Sequence, residues 1–143
     1  MVTAFLTLYG CGEKPATMDD FNVRDLKLPG GQIIQVQAML DVKDMLRGMM
    51  FRTSLAPDRG MLFIHRGPGN YPYWMYQTPL SLDMIWMDTA KRVVEIVPEA
   101  PPCTTEASKC PHFGGHEKAQ FVLELRGGMA KKYGIQPGDY ISF

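Results

Sequence analysis

Glycine and proline recur along the whole chain, and they constrain its fold more than any other feature. The 143 residues include 14 glycines and 11 prolines, and both residue types interrupt regular secondary structure. Interruption this frequent favours short strands joined by turns over a bundle of long helices. A chain of 143 residues has the length of one domain and can bury a sizeable core without staples.

The charge balance argues against two classes of partner. Fifteen Lys and Arg residues are matched by fifteen Asp and Glu residues, which gives a formal net charge of zero. A chain without excess positive charge has no strong electrostatic hold on a nucleic-acid backbone or on an anionic lipid surface. The sequence therefore predicts no nucleic-acid partner.

The first residues resemble a lipoprotein signal. A mostly apolar run at 2–9 precedes Gly10 and Cys11, and a small residue before the cysteine is what lipoprotein signal peptidases require. The run is short and no Lys or Arg precedes it, features that a truncated start explains. We predict a truncated signal and tether over residues 1–25, a lipid on Cys11 as the only membrane contact, and a periplasmic or cell-surface location. The alternative is an N-terminal tail with an unmodified cysteine.

The two remaining cysteines offer a disulfide or a metal site. Cys103 and Cys110 lie in a proline-rich segment with six residues between them, and a disulfide is the natural state of such a pair in an oxidising compartment. His112 and His116 follow closely, so a zinc site is the alternative, but the spacing of the first two ligands is unusual for structural zinc. We favour the disulfide, and predict no bound metal and no cofactor.

Apolar alternation predicts about seven strands, at 32–40, 61–65, 71–76, 80–88, 92–97, 119–125 and 140–143. Asp41 is predicted to cap a helix with an apolar stripe that faces the core, made of Val42, Met45, Leu46, Met49 and Met50. A second short helix is expected at 128–133. The predicted fold is mainly β with an α+β tendency, an antiparallel β-sandwich or partly closed barrel with one or two short helices.

Many short motifs in a fixed order resemble the uncharacterised family called domain of unknown function 192. They fall at 48–55, 60–63, 74–75, 78–83, 93–94, 102–103, 110, 122–125, 128, 134–135 and 137–139. The resemblance covers residues 26–143, which we take as a single domain. It implies a compact β-rich fold similar to a jelly roll, often with a lipoprotein-like start, and no established reaction. The sequence departs from the usual family pattern at 74–78 and 112–113.

The motif-dense stretch 52–83 contains the candidate site residues Arg52, Asp58, Trp74, Gln77 and Asp83. Asp83 is the most informative because it interrupts an apolar run, where a carboxylate needs either a cation or a water-filled cleft. Arg52 is the expected partner, either in an internal bridge or in a pair that faces a ligand. Asp58 lies in a Pro-Asp-Arg-Gly sequence and has an adequate role as a turn former.

Aromatic residues cluster around Trp74. Tyr71, Tyr73 and Tyr76 are near it in sequence, and a set of this kind forms either core packing or a stacking platform for a flat ligand. Because alternation places Trp74 and Tyr76 on the face opposite to Tyr71 and Tyr73, both faces cannot be exposed platforms.

The usual enzyme signatures are absent from the sequence. We predict a binding or interaction module that holds a small polar ligand or a protein partner in a pocket between Arg52, Trp74 and Asp83. The alternative is a hydrolase-type enzyme that uses Asp58 and Asp83 as acid and base, which requires the two carboxyls to converge in one cleft.

Overall fold

A computed structural model of the chain describes residues 22–143. The predicted lipidation site, Cys11, lies outside the described residues, as does most of the predicted signal and tether. No helix within the described range is long and apolar enough to cross a membrane.

The described residues contain eight strands, two short α-helices and one 3-10 turn at Ala107–Lys109. The strands are β1 Val23–Lys27, β2 Ile33–Met39, β3 Arg59–Gly69, β4 Tyr73–Trp74, β5 Leu82–Met87, β6 Val93–Ala100, β7 His112–Phe113 and β8 Ala119–Arg126. The helices are α1 Val42–Arg47 and α2 Met129–Lys132. The predicted mainly β fold is confirmed.

Six strands form the main sheet, in the order β1-β2-β3-β8-β5-β6, while β4 and β7 form a separate pair. All neighbours in the main sheet are antiparallel except β2 and β3. These two strands run parallel because the connection through α1 returns the chain to the end at which β2 began. The sheet is therefore mixed and is not closed into a barrel, although the C-terminal segment bridges to both edges, at Lys27 with Ser142 and Arg92 with Tyr140.

Both faces of the main sheet are covered, and the central strand β8 shows how. Leu123 and Leu125 face one cluster, which α2 and the C-terminal segment complete, while Val122 faces a second cluster rich in methionine. Alternate residues of a strand point to opposite faces. Because both faces are covered, residues 121–125 of β8 are all buried, whichever face their side chains point to. Much of the unusual methionine content lies in the second cluster, including Met61 and Met84.

Helix α1 begins as predicted but packs differently. The Asp41 side chain accepts a hydrogen bond of 2.8 Å from the Lys43 backbone N–H, which confirms the cap. The predicted core-facing stripe is wrong at Val42 and Leu46, which are 61% and 71% exposed. The helix ends at Arg47 because Gly48 adopts a positive φ of 44°. Met45 packs half-buried against the second core cluster, and Met49, beyond the helix, is buried in it.

The disulfide between Cys103 and Cys110 is formed, with a sulfur–sulfur distance of 2.02 Å. The zinc alternative is not supported by the positions of the two histidines. His112 stacks on Trp74, with ring centroids 5.5 Å apart, while His116 hydrogen-bonds to Glu95. Within residues 22–143, no cluster of three or more His, Cys, Asp or Glu side chains is arranged to hold a metal ion.

Candidate functional site

The Asp83 carboxylate is fully buried and bonded by backbone groups alone. Its Oδ1 accepts hydrogen bonds from the N–H groups of Glu99 (2.8 Å) and Gly128 (3.0 Å), and its Oδ2 accepts one from the N–H of Ala130 (2.6 Å). Gly128 and Ala130 lie at the start of α2, where N–H groups have no partner within the helix. Asp83 therefore holds the start of α2 and the edge strand β6 against β5, which is a structural role.

The expected bridge between Arg52 and Asp83 is not among the ion pairs of residues 22–143. Arg52 instead donates a hydrogen bond of 2.6 Å to the Gln37 side-chain oxygen. It lies in the wall of an open depression of about 410 Å³, which Asp44 and Arg47 also line. Asp83 is absent from the lining of this depression, so the predicted pocket between Arg52, Trp74 and Asp83 is not formed.

Asp58 lies in the turn before β3 and is exposed. Its backbone carbonyl accepts a hydrogen bond from the Gln35 N–H, which helps to join the turn to β2. A general acid or base must reach the proton that it transfers, and the buried Asp83 uses both oxygens on backbone donors. The geometry therefore gives no support to an acid and base pair formed by Asp58 and Asp83.

Gln77 lies at the tip of a tight turn, with a positive φ of 55°. Its backbone carbonyl accepts a hydrogen bond from the Phe51 N–H at 2.8 Å. The residues on either side of it, Tyr76 and Thr78, both form bridges to Cys103. Gln77 thus connects the segment after α1 to the disulfide loop.

Trp74 lies at a small cleft of about 40 Å³, which we call the Glu124 cleft. One wall is formed by α1 and the residues after it, and the opposite wall by aromatic and polar side chains from β4 and the following turn. The residues that line the cleft include Met45, Arg47, Met49, Met50, Tyr73, Trp74, Tyr76, Thr78 and Glu124. Trp74 is 37% exposed and Thr78 is 4% exposed, so the cleft runs from the surface into the core.

Glu124 is a buried acid at the inner end of this cleft. It projects from β8 between its two register partners, Met61 on β3 and Met84 on β5, which are themselves fully buried. Glu124 is 4% exposed, and its Oε2 has no hydrogen-bond partner among residues 22–143. An unsatisfied buried carboxyl oxygen costs about 1 to 3 kcal/mol, so this group calls for an explanation that packing does not supply.

Burial also changes how the neighbouring groups titrate. Desolvation raises the pKa of Glu124 to about 8 from an ordinary value of 4.5. The pKa of Tyr73 is raised mainly by burial and further by the charge of Glu124, and burial lowers the pKa of His65. Glu124 is the unusual group of the three, because a glutamate with a pKa of about 8 is mostly uncharged at neutral pH.

A hydrogen bond of 3.0 Å joins the Tyr73 hydroxyl to His65 Nε2 and fixes the wall of the cleft. His65 stacks on Tyr71, with ring centroids 3.6 Å apart and planes 4° from parallel. The Trp86 indole N–H donates to the Tyr71 carbonyl at 2.8 Å. This chain of contacts ties the orientation of Tyr73 to the second core cluster.

The disulfide loop supports the other side of the cleft. Cys103 bridges to both Tyr76 and Thr78, and β7, which follows the loop, pairs with β4 through Trp74 and His112. The aromatic side chains at the cleft are thus positioned by a segment that has few apolar residues of its own. A covalent link that closes this segment stabilises the cleft by limiting the freedom of the unfolded chain.

Glu124 was not among the residues that the sequence pattern singled out. The run 121–125 alternates between the two faces of the sheet, and all five of its residues are buried. A strand that is buried on both faces has a nearly continuous apolar sequence. A glutamate in such a strand is therefore buried, whichever face its side chain points to. The apolar run around Glu124 is visible in the sequence, but it predicts a buried glutamate only once the strand is known to be central in the sheet.

Three comparisons with known proteins locate the chain among its relatives. A model of the family DUF192, described as "Uncharacterized ACR", matches residues 26–143. A solved "putative transcription regulator" from Sinorhizobium meliloti is 29% identical, with a TM-score of 0.73 over 82% of this chain and 89% of that one. A protein of unknown function from Novosphingobium aromaticivorans is 27% identical, with a TM-score of 0.74 over 85% of each chain. No curated protein matches the chain significantly.

Proposed function

The chain belongs to the DUF192 family of uncharacterised proteins, and we propose that it is an extracytoplasmic module that binds a small polar ligand in the Glu124 cleft. One observation carries the proposal: Glu124, whose buried Oε2 has no hydrogen-bond partner among residues 22–143, lines a cleft that opens to the surface. A ligand atom that satisfies this oxygen recovers the free energy that its burial costs, which gives binding both a driving force and a defined position.

The aromatic groups at the cleft suit a binding role. Trp74 stacks on His112 and lies 5.1 Å from the Tyr76 ring, measured between ring centroids. An aromatic surface that is part buried and part exposed can cover the portion of a ligand that stays outside the cleft. Trp74 therefore keeps the role proposed for it from the sequence, while the ligand-facing carboxyl becomes Glu124 in place of Asp83.

The disulfide between Cys103 and Cys110 supports an oxidising compartment, since cytosolic thiols are usually kept reduced. We further propose that the domain is tethered in the periplasm or at the cell surface through a lipid on Cys11. Expression in a bacterium from the gene with its upstream sequence retained, so that a complete signal can be made, with wild type compared with Cys11→Ser, tests this. The wild type is expected in the membrane fraction and the variant in the soluble fraction, and identical fractionation would contradict the tether.

A role in DNA binding is not proposed for this chain. One neighbour's description names transcription regulation, but that description belongs to the neighbour. The net charge of this chain is zero, and affinity for the phosphate backbone comes largely from excess positive charge. A small-molecule site is the better supported function.

A thermal-shift screen tests the proposal, because a ligand that binds only the native state raises its stability by about 2.7 kcal/mol at a hundredfold excess over Kd. The compounds are sugars, organic acids, primary amines and divalent metal salts. Each is tested on wild type, on Glu124→Met, which removes the polar atoms while keeping a long side chain, and on the control Glu117→Gln at an exposed loop carboxylate.

We expect at least one class to raise the melting temperature of wild type and Glu117→Gln by several degrees and to leave Glu124→Met unchanged. A shift that persists in Glu124→Met would place the ligand elsewhere. No shift from any class would refute binding of these small ligands at the cleft.

A further inference from the structure

We infer that the group entering the Glu124 cleft is a primary ammonium group, carried by a small organic ligand. This inference rests on the proposed function and narrows it to one ligand class. It comes from the juxtaposition of an unpartnered buried carboxyl oxygen, three aromatic rings and a volume of about 40 Å³.

The size of the cleft restricts the head group. Its volume of about 40 Å³ has room for about three water-sized groups, since one buried water needs roughly 10 to 15 Å³ of such volume. An ammonium group with its attached carbons fits this space, and the rest of the ligand stays outside against Trp74. A trimethylammonium head group carries no N–H donor, so it would leave Glu124 Oε2 without a hydrogen bond.

The inner wall offers hydrogen-bond acceptors. Glu124 Oε2 has no partner among the described residues, and the Thr78 hydroxyl gives its proton to the Tyr76 carbonyl at 3.3 Å, which leaves its lone pairs available. The Tyr73 hydroxyl already shares its hydrogen bond with His65. Acceptors of this kind require donors, and a primary ammonium group supplies three while a carboxylate supplies none.

The rings and thioethers also suit a cation. Tyr73, Trp74 and Tyr76 line the cleft, and the face of an aromatic ring attracts positive charge. The remaining inner lining from the segment of α1 is thioether, from Met45 and Met49, which adds polarisable contact without donors.

The charged and titratable groups around Glu124 leave its carboxyl without a compensating cation in the described residues. On the α1 side the only charged residue lining the cleft is Arg47, which is exposed and forms no ion pair with Glu124 in the range 22–143. On the opposite wall Tyr73 and Tyr76 are the titratable groups. The flanking strands contribute Met61 and Met84, which carry no charge.

The pH dependence of affinity separates an ammonium ligand from an organic acid. Burial raises the pKa of Glu124 to about 8, so an ammonium ion displaces a proton from Glu124 when it binds below that pH. Its affinity should rise by about tenfold from pH 6 to 7 and about fivefold from pH 7 to 8, and then level off until the amine itself loses its proton near 10.4. A carboxylate ligand needs the protonated Glu124 as a donor, so its affinity should fall across the same range.

Isothermal titration calorimetry of the full chain at pH 6, 7 and 8 provides the test. The probes are propylammonium, propyltrimethylammonium, which has the same charge but no N–H donor, and propionate. At pH 6, titration in two buffers with different ionisation enthalpies measures the protons released. We expect binding of propylammonium alone, a gain of about fiftyfold from pH 6 to 8, and release of nearly one proton per ligand at pH 6.

Two variants complete the test. Glu124→Gln is expected to abolish propylammonium binding while staying folded, as judged by circular dichroism, and Glu117→Gln is expected to bind as wild type does. Equal binding of propyltrimethylammonium, or an affinity that does not change with pH, would overturn the ammonium assignment. Propionate binding that weakens as the pH rises and disappears in Glu124→Met would leave the cleft as a ligand site but refute its proposed ligand class. No Glu124-dependent binding by any probe or screened compound would overturn both proposals.

Discussion

Two buried carboxyl groups lie side by side in the sheet but on opposite faces, and their surroundings differ. Asp83 on β5 is the register partner of Leu125, and Glu124 on β8 is the register partner of Met84, one residue along each strand. On one face, the Asp83 carboxylate accepts three hydrogen bonds from backbone N–H groups. On the other face, Glu124 Oε2 has no hydrogen-bond partner among the described residues.

The difference separates a structural acid from a candidate ligand contact. Asp83 is positioned where the start of α2 supplies donors, so the cost of its burial is offset within the fold. Glu124 lies under α1, a helix that buries none of its own residues and leaves a cleft beside it. A buried group that its own fold leaves unsatisfied is the better candidate for a ligand contact.

The largest effect is expected at the structural acid. Asp83→Ala leaves the N–H groups of Glu99, Gly128 and Ala130 without their acceptor, the last of them fully buried, so we expect the free energy of unfolding to fall by about 3 to 5 kcal/mol, measured by urea denaturation. Glu124→Ala is the matched control on the other face, and should cost less because no hydrogen bond is lost. A loss below about 1 kcal/mol in Asp83→Ala would remove the contrast between the two acids.

The second effect concerns the pH dependence of stability. Glu124 has a folded pKa of about 8 against an ordinary 4.5, so the folded state binds more protons than the unfolded chain between these values. The contribution of Glu124 to stability is therefore complete below about pH 4.5 and is lost as the pH rises through 8, and the part of this change between pH 5 and 8 is on the order of 3 kcal/mol. Denaturation of wild type at pH 5, 6, 7 and 8 measures it.

Glu124→Gln isolates this change from other titrations. The lowered pKa of His65 acts in the opposite direction, because there the unfolded chain binds more protons and stability rises with pH towards 6.5. The difference between wild type and Glu124→Gln cancels that contribution. A difference that stays constant from pH 5 to 8 would show that Glu124 titrates as an exposed glutamate does.

The smallest of the three effects is expected at the disulfide, and it should be confined to the cleft side. Replacing Cys103 and Cys110 by Ser opens a short loop and should lower the free energy of unfolding by about 2 kcal/mol. Because Cys103 bridges to Tyr76 and Thr78, hydrogen exchange should speed up in β4 and the following turn. Protection at α2, next to Asp83, should be unchanged, and equal loss on both faces would contradict the division between them.

Much of the fold could be predicted because its signals are local. The alternation in 32–40 and 119–125 located β2 and β8 to within a residue or two, and the position of Asp41 before an apolar segment located a helix cap. Helix α1 was predicted less well. The spacing of Val42 and Leu46 fits a buried stripe, but both are exposed, and this part of the chain contacts the core through Met45 and Met49.

The candidate site was predictable only in part. Trp74 was singled out and lies at the cleft, and Asp83 was recognised as a carboxylate that needs partners. The identity of those partners depends on Glu99, Gly128 and Ala130, which are 16 to 47 residues away along the chain. No local sequence pattern indicates that backbone N–H groups, and not Arg52, form the hydrogen bonds to this carboxylate.

By itself, then, the sequence determined the mainly β class, the positions of most strands, the cysteine pair and the family resemblance, because each depends on residue type and spacing over a short stretch. Only the tertiary structure decided which buried acid is satisfied and which is not. Asp83 and Glu124 are both acids in apolar runs, and what distinguishes them is the set of distant groups that folding brings to each face of the sheet. Whether a buried polar atom has a hydrogen-bond partner depends on groups from distant segments that folding brings together, so the sequence of one segment does not predict it.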